Sequence, residues 1–348
     1  MRMVFQQKPL GIYLSVVAIV IGLAIYSTSR SGGTQASSPV PLSENVKNDV
    51  IEIDGSSTVY PITDAIVHQF QQSYPRTKVS STFSGTRGGF DKFCAGQIDI
   101  SNASRPISTQ ELLVCRQAAI RFIELPIAFD ALTVVVNPKN TWAKDMTIAE
   151  LKTLWESAAQ GKIKTWDQVR STWPSRPIAL FGAGADSGTY DYFAGIVTGA
   201  EKMRSDYTGS EDDNILVEGV NKELNALGYF GLYYYEYNKD KVKPLAINGV
   251  LPSVENVKNA TYQPLSRPLF IYVNAQAAQQ NPALSEFIAF YLKNAERVSA
   301  SVGYVPLPGE AYEIGQTHFY QGKVGTAYDG KPQPNLTIGE VLQKEKSF

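Results

Sequence analysis

The stretch PIALFGAGADSGTYDYFAGIV, residues 177–197, sets three patterns end to end. Ile178–Phe181 is a short apolar run of strand type, and GAGADSG at 182–188 is small and polar. Phe193, Ile196 and Val197 then recur at helical spacing. Strand, small-residue loop and helix in that order form the unit of a layered α/β protein. The loop sets Asp186, Ser187, Gly188 and Thr189 where a helix begins. Unpaired backbone N–H groups and the positive end of the helix dipole gather there.

The unit recurs. Val50–Ile53 reads as a strand that breaks at Asp54-Gly55, and PITDAIVHQFQQSY follows with Pro61 in a first turn and Ile62, Ile66 and Phe70 on one stripe. In KVSSTFSGTRGGFDKFCAG, a strand is predicted at Val79–Phe83, a loop at SGTRGG and a helix carrying Phe90 and Phe93. Parallel pairing should dominate such a sheet. ALTVVVNP, 131–138, and RPLFIYVN, 267–274, are similar apolar runs about 130 residues apart. The block between them opens on a capping box, Thr147 and Glu150. One lobe inserted in another, with these two runs as crossings, is the simplest arrangement. It places a first lobe at 49–135 plus 270–348 and a second at 136–269, with bending at Val134–Asn137 and Tyr272–Asn274.

At 348 residues the chain exceeds what one core usually supports. With 33 acidic and 32 basic residues and no basic block, it lacks the stripe that a nucleic-acid binder needs. Arg2 and Lys8 flank the apolar run Leu10–Tyr26, so residues 1–27 read as a signal peptide or N-terminal anchor, and the Ser, Gly and Pro-rich segment 28–48 as a flexible linker. Export makes the only two cysteines, Cys94 and Cys115, a predicted disulfide. The two histidines, His68 and His318, have no partner at metal-ligand spacing, so no metal or cofactor is expected.

Ser56-Ser57-Thr58, Ser84–Gly89 and Asp186–Thr189 share one grammar of hydroxyls and glycines before a helix. Taken singly, each is most simply a helix cap. Together, beyond the carboxyl ends of strands, they make an anion site. None fits a nucleotide-binding P-loop, and Ser187 lacks the glycine two residues before it that a nucleophile elbow requires. ISNASRPIS adds Arg105 beside Ser104, after a strand at Ile98–Ser101, and arginine is the fork-shaped donor for oxyanions.

DGSSTVYPI, FSGTRGGFDKFCAGQIDISNASRPI, ELPIAFDALTVVVNP, LFGAGADSGTYDYF and ALGYFGLYYYEYN occur in order over nearly the whole chain after residue 49. In these stretches the sequence resembles the PstS-type phosphate-binding proteins of ABC importers, in the PstS-like branch that includes SphX. The resemblance implies a type II periplasmic binding fold of two α/β lobes joined by two hinge strands, with phosphate clamped between them. It implies a site of Ser57, Thr58 and the Val59 N–H; Thr86 with Arg87; Ser104 with Arg105; and Asp186, Ser187, Gly188 and Thr189. The family pattern has an aspartate at Ser104 and an arginine near Ala183; here Arg105 and Asp186 offer those two chemistries. Asp186 is then expected to select a protonated oxyanion. The implied protein is an exported monomer that performs no catalysis and serves a membrane permease. Sulfate, molybdate or a phosphonate as ligand, a secreted phosphatase, and a sensor without a transporter are the alternatives.

Overall fold

The computed structural model describes residues 50–199, 202–331, 333 and 335–348; the expected signal or anchor and the linker, 1–27 and 28–48, lie outside the described residues. The chain opens β1 (Val50–Gly55), α1 (Tyr60–Ser73), β2 (Lys78–Ser81), α2 (Gly85–Cys94), β3 (Ile100–Ala103) and α3 (Thr109–Gln117). The long strand β4 (Phe122–Val136) leads to β5 (Asp145–Met146), α4 (Ile148–Trp155), β6 (Ala179–Ala183), α5 (Gly188–Val197), β7 (Thr208–Ser210) and α6 (Asp213–Lys222). Then come β8 (Ala226–Gly231), α7 (Leu232–Tyr237), β9 (Lys243–Pro244), β10 (Ala246–Ile247) and α8 (Val254–Lys258). The return is made by β11 (Ser266–Asn274), α9 (Ala275–Gln280), α10 (Pro282–Ser301), α11 (Gly309–Tyr320) and α12 (Ile338–Ser347).

A nine-stranded sheet runs in the order β2-β1-β3-β11-β4-β8-β6-β7, with β9 beside β4, and β5 pairs with β10 in a separate two-stranded sheet. β1 pairs in parallel with β2 and β3, and β6 with β7 and β8. The centre is antiparallel: β11 runs against both β3 and β4, and β4 against β8. Parallel pairing thus governs each half but not the middle. A chain that crosses to an inserted half and returns must make its two crossings in opposite directions. β4 pairs with β11 as far as Ala131 and with β8 from Leu132 on, so the exchange lies at 131/132 and at Ser266, the head of β11. The stretches expected to bend lie inside ladders, with Val134 opposite Tyr229 and Tyr272 opposite Glu124.

One buried core is continuous through the first half and the second, with a smaller cluster around Leu216, Val220 and Phe230. In the first half, Phe70 of α1 meets Phe287 of α10 edge-on at 5.1 Å. In the second, Phe193 stacks on Tyr229 at 3.8 Å beside Trp155. Burying each of these rings is worth roughly 1.5–3 kcal/mol. The capping box at Thr147 and Glu150 forms as read from sequence. SGTRGG is no loop: α2 starts at Gly85. Its glycines serve packing, since a Cβ on Gly89 would sit 2.5 Å from Gly55 Cα at the end of β1.

Cys94 and Cys115 are disulfide-bonded, joining α2 to α3 around the loop that carries Ser104 and Arg105. Tyr272 Oη holds the same loop from below: it accepts the Ile107 N–H at 2.8 Å and donates to Glu124 Oε2 at 2.7 Å. Glu124 is fully buried, and burial pushes its carboxyl up to about 7. Glu345 of α12, close by, is pushed up to about 8 by burial and then by Glu124. Among the described residues no helix is long and apolar enough to cross a membrane, and no cluster of His, Cys, Asp and Glu is arranged to hold a metal.

Two outcomes follow for stability. Replacing both cysteines by alanine is expected to cost about 3 kcal/mol in a denaturant titration, since the bond closes a loop with a sequence separation of 21. An unchanged midpoint would show that the bond adds nothing. Glu124 and Glu345 bind protons more tightly folded than unfolded, so stability should fall as pH rises from about 4.5 to about 8. The thermal midpoint should drop across that window, and Glu124→Gln with Glu345→Gln should flatten the drop.

Candidate functional site

Three helix starts converge on the middle of the sheet. The β1–α1 turn brings Ser56, Ser57 and Thr58, all buried. The first turn of α2 brings Thr86, and the end of β3 brings Ser104, both fully buried. From the second half, α5 brings Ser187, Gly188 and Thr189. The N-termini of α2 and α5 touch directly, the Arg87 N–H donating to the Asp186 carbonyl at 2.9 Å.

The hydroxyls form pairs. Thr86 Oγ1 and Ser104 Oγ are 3.2 Å apart, and the Ser104 N–H also donates to Thr86 Oγ1. Thr58 Oγ1 and Thr189 Oγ1 meet at 3.2 Å across the two halves. Gly188 lets them close: a Cβ there would run into both Thr86 Oγ1 and Ser104 Oγ. Ser187 Oγ caps α5 by accepting the Thr189 N–H at 3.0 Å. The Val59 N–H donates to Ser56 O at 3.1 Å. Tyr304 and Tyr234 fix the turn by donating to the Thr58 and Ser57 carbonyls at 2.6 and 3.2 Å.

A cation not singled out from the sequence lies in this nest. Arg267, at the head of β11, is 0% exposed. Its Nη2 donates to Thr189 Oγ1 at 2.8 Å and to Thr58 Oγ1 at 3.2 Å, and its Nη1 to the Gly188 carbonyl at 3.1 Å. Asp130, directly opposite in the ladder, lies 3.3 Å from Nη2 and is itself held by the Leu232 N–H at 3.1 Å. The Tyr192 ring faces the guanidinium at 5.7 Å. The Nε–H of Arg267 is buried without an acceptor among the described residues. The signal in the sequence was a charged residue heading an otherwise apolar buried strand.

Arg105 is placed elsewhere. Its Nη1 and Nη2 make a two-pronged pair with Glu111, both at 2.8 Å, and its Nε donates to Asp191 Oδ2 at 2.8 Å. Burial opposes both charges, yet this pairing raises the Arg105 pKa and lowers that of Glu111. Arg87, 45% exposed, donates to the other oxygen of Asp191 at 3.0 Å. Both arginines therefore reach from the first half to one carboxylate on α5. They line a cleft of about 740 Å³ that also reaches Arg267.

The Asp186 side chain is exposed, while its N–H donates to Glu211 Oε1 at 3.2 Å. The helix cap belongs to Ser187 instead. The carboxylate that does enter the nest is Asp213, at the start of α6 and 2% exposed. It accepts from Ser57 Oγ at 3.5 Å. The structure thus brings together Ser57, Thr58, Thr86, Ser104, Ser187, Gly188 and Thr189, adds Arg267 and Asp213, and sets Arg87, Arg105 and Asp186 outside that cluster. Hydroxyl donors from both halves, one buried guanidinium and the N-terminus of α5 are the chemistry of oxyanion recognition.

Comparison with known proteins agrees with this reading. A family model described as a PBP superfamily domain matches residues 28–295. Protein SphX of Synechocystis sp. is 53% identical over 303 residues, 86% of this chain and 90% of its own. The phosphate-binding protein PstS of Staphylococcus haemolyticus is 34% identical over 299 residues, 84% of this chain and 92% of its own. A solved structure titled as a putative phosphate ABC transporter substrate-binding protein with bound phosphate, from Clostridium perfringens, covers 74% of this chain and all of its own at 25% identity and a TM-score of 0.62. By its sheet topology and these likenesses together, the chain belongs to the PBP superfamily and, within it, to the family of SphX and PstS.

Proposed function

We propose that this protein binds inorganic phosphate in the nest and delivers it to an ABC-type membrane permease from outside the cytoplasm, as an exported monomer and without chemical turnover. One observation carries the reading: a fully buried arginine, Arg267, reaches hydroxyls from both halves of the fold. A buried cation costs several kcal/mol to desolvate, and Asp130 offsets only part of that. An oxyanion in the nest can accept from Arg267, from the hydroxyls of Ser57, Thr58, Thr86 and Ser104 and from the N-terminus of α5, the Val59 and Thr189 N–H groups being bonded already. The relatives named for phosphate set it ahead of sulfate, molybdate and a phosphonate as the ligand.

The two lobes of this reading are 49–135 with 270–348, and 136–269. Strand pairing is exchanged a few residues before those bounds, at 131/132 and at Ser266, and in this reading the bend lies there. Closure would bring Arg87 and Arg105 onto Asp191, so that these pairs stabilise the ligand-holding form.

The direct test is calorimetric titration after removal of carried-over ligand under denaturing conditions. Phosphate is expected to bind most tightly among phosphate, sulfate and molybdate; no heat with phosphate, or tighter sulfate, would overturn the reading. Arg267→Gln is expected to weaken phosphate binding by roughly two to four decades, the loss of one partner from a buried charged hydrogen bond at about 2–5 kcal/mol. Arg105→Ala should cost less, because its donors already face Glu111 and Asp191. Asp191→Asn should weaken binding by about two- to tenfold through faster release, the scale of partly exposed ion pairs.

A further inference from the structure

Asp213, at the start of α6, is buried in the nest. Its environment is short of positive charge. Ser57 on the β1–α1 turn gives it one hydroxyl. Among the described residues no lysine or arginine pairs with it within ion-pair distance. Asp130 on β4, Arg267 on β11, and Asp212 and Glu211 at its own helix start act on it electrostatically. Tyr229 on β8, Tyr234 on α7 and Tyr304 after α10 complete its charged and titratable surroundings. The single guanidinium is taken by Asp130, which also holds the Leu232 N–H. An entering oxyanion therefore meets one cation, a paired carboxylate and a second carboxylate held by a hydroxyl alone. Two carboxylates and an oxyanion around one arginine are not neutralised unless a proton joins them.

We propose that oxyanion binding is coupled to protonation of Asp213, so that the nest takes up a proton from solvent whenever this carboxyl is ionised in the free protein. The proposal rests on the phosphate reading above and deepens it. In the free state the Ser57 O–H donates to the Asp213 carboxylate. On binding, the carboxylate gains a proton, its O–H donates to Ser57 Oγ, and the Ser57 O–H turns to donate to the anion. One proton enters, no covalent bond between heavy atoms changes, and an acceptor-only group becomes a donor to the site. Burial, then Asp130, Asp212 and Glu211 against the pull of Arg267, push the Asp213 carboxyl up to about 8, which sets the pH range of the effect.

The experiment is calorimetric titration of the whole folded protein with inorganic phosphate from about pH 7.5 to about pH 9.5, in two buffers of different ionisation enthalpy. Over the upper part of this range phosphate is already a dianion, so its own titration adds nothing. The expected result is proton uptake rising towards one per phosphate, with affinity falling roughly tenfold per pH unit above the Asp213 pKa. Asp213→Asn should abolish the uptake and flatten the profile while still binding phosphate at the alkaline end. Uptake near zero in the wild type with constant affinity would overturn the proposal, whether or not the variant folds. So would a variant that keeps the wild-type profile. Absence of phosphate binding at neutral pH would overturn the phosphate reading, and the coupling with it.

Discussion

The pairing of Arg267 with Asp130 is the constraint around which the structure is arranged. The two residues stand opposite each other on β11 and β4, at the point where the chain passes between the two halves of its sheet. Removing either partner would leave a buried charge unpaired, a change that typically costs about 3–5 kcal/mol. The pair therefore fixes the register of the crossing strands as it aims the guanidinium. Thr58 and Thr189 arrive from opposite halves and meet on that guanidinium, so in the proposed reading ligand recognition and the joint between the halves share one group. An anion held there would interact with both halves at once, which couples binding to their closure.

Around this centre the supporting contacts are graded by burial. Tyr192, Tyr234 and Tyr304 hold the backbone of the nest through their hydroxyls. The disulfide and the Tyr272–Glu124 pair brace the Ser104–Ile107 loop from two sides. Farther out, Arg87 and Arg105 meet Asp191 at the cleft, the Arg87 contact being the more exposed of the two.

The alternation of strands and helices, the disulfide and the capping box at Thr147 were legible in the sequence, because each rests on local spacing or on residue counts. The cluster in the nest was legible too, since Ser57, Thr58, Thr86, Ser187, Gly188 and Thr189 sit beside helix starts and Ser104 follows the end of β3. The arginine was not. Ser-Arg-Pro occurs three times, at 104–106, 175–177 and 266–268. One of these arginines pairs with Glu111, one is exposed against Trp142, and one is buried in the nest. Only long-range strand pairing separates them, because Arg267 is defined by facing Asp130, 137 positions away. Asp213 was hidden for the same reason: its neighbour Ser57 is 156 positions distant. Asp186 stood in the right loop, but the turn directs its side chain to solvent while its backbone joins α2.

The most direct measurement of the central claim is a crystal structure of the protein grown with inorganic phosphate. The anion should lie in the nest, with oxygens about 2.7–3.1 Å from Arg267 and from hydroxyls of both Ser57–Thr58 and the Ser187–Thr189 turn. Phosphate held by Arg105 in the outer cleft, with Arg267 still engaged only by Asp130, Thr58, Gly188 and Thr189, would contradict the account.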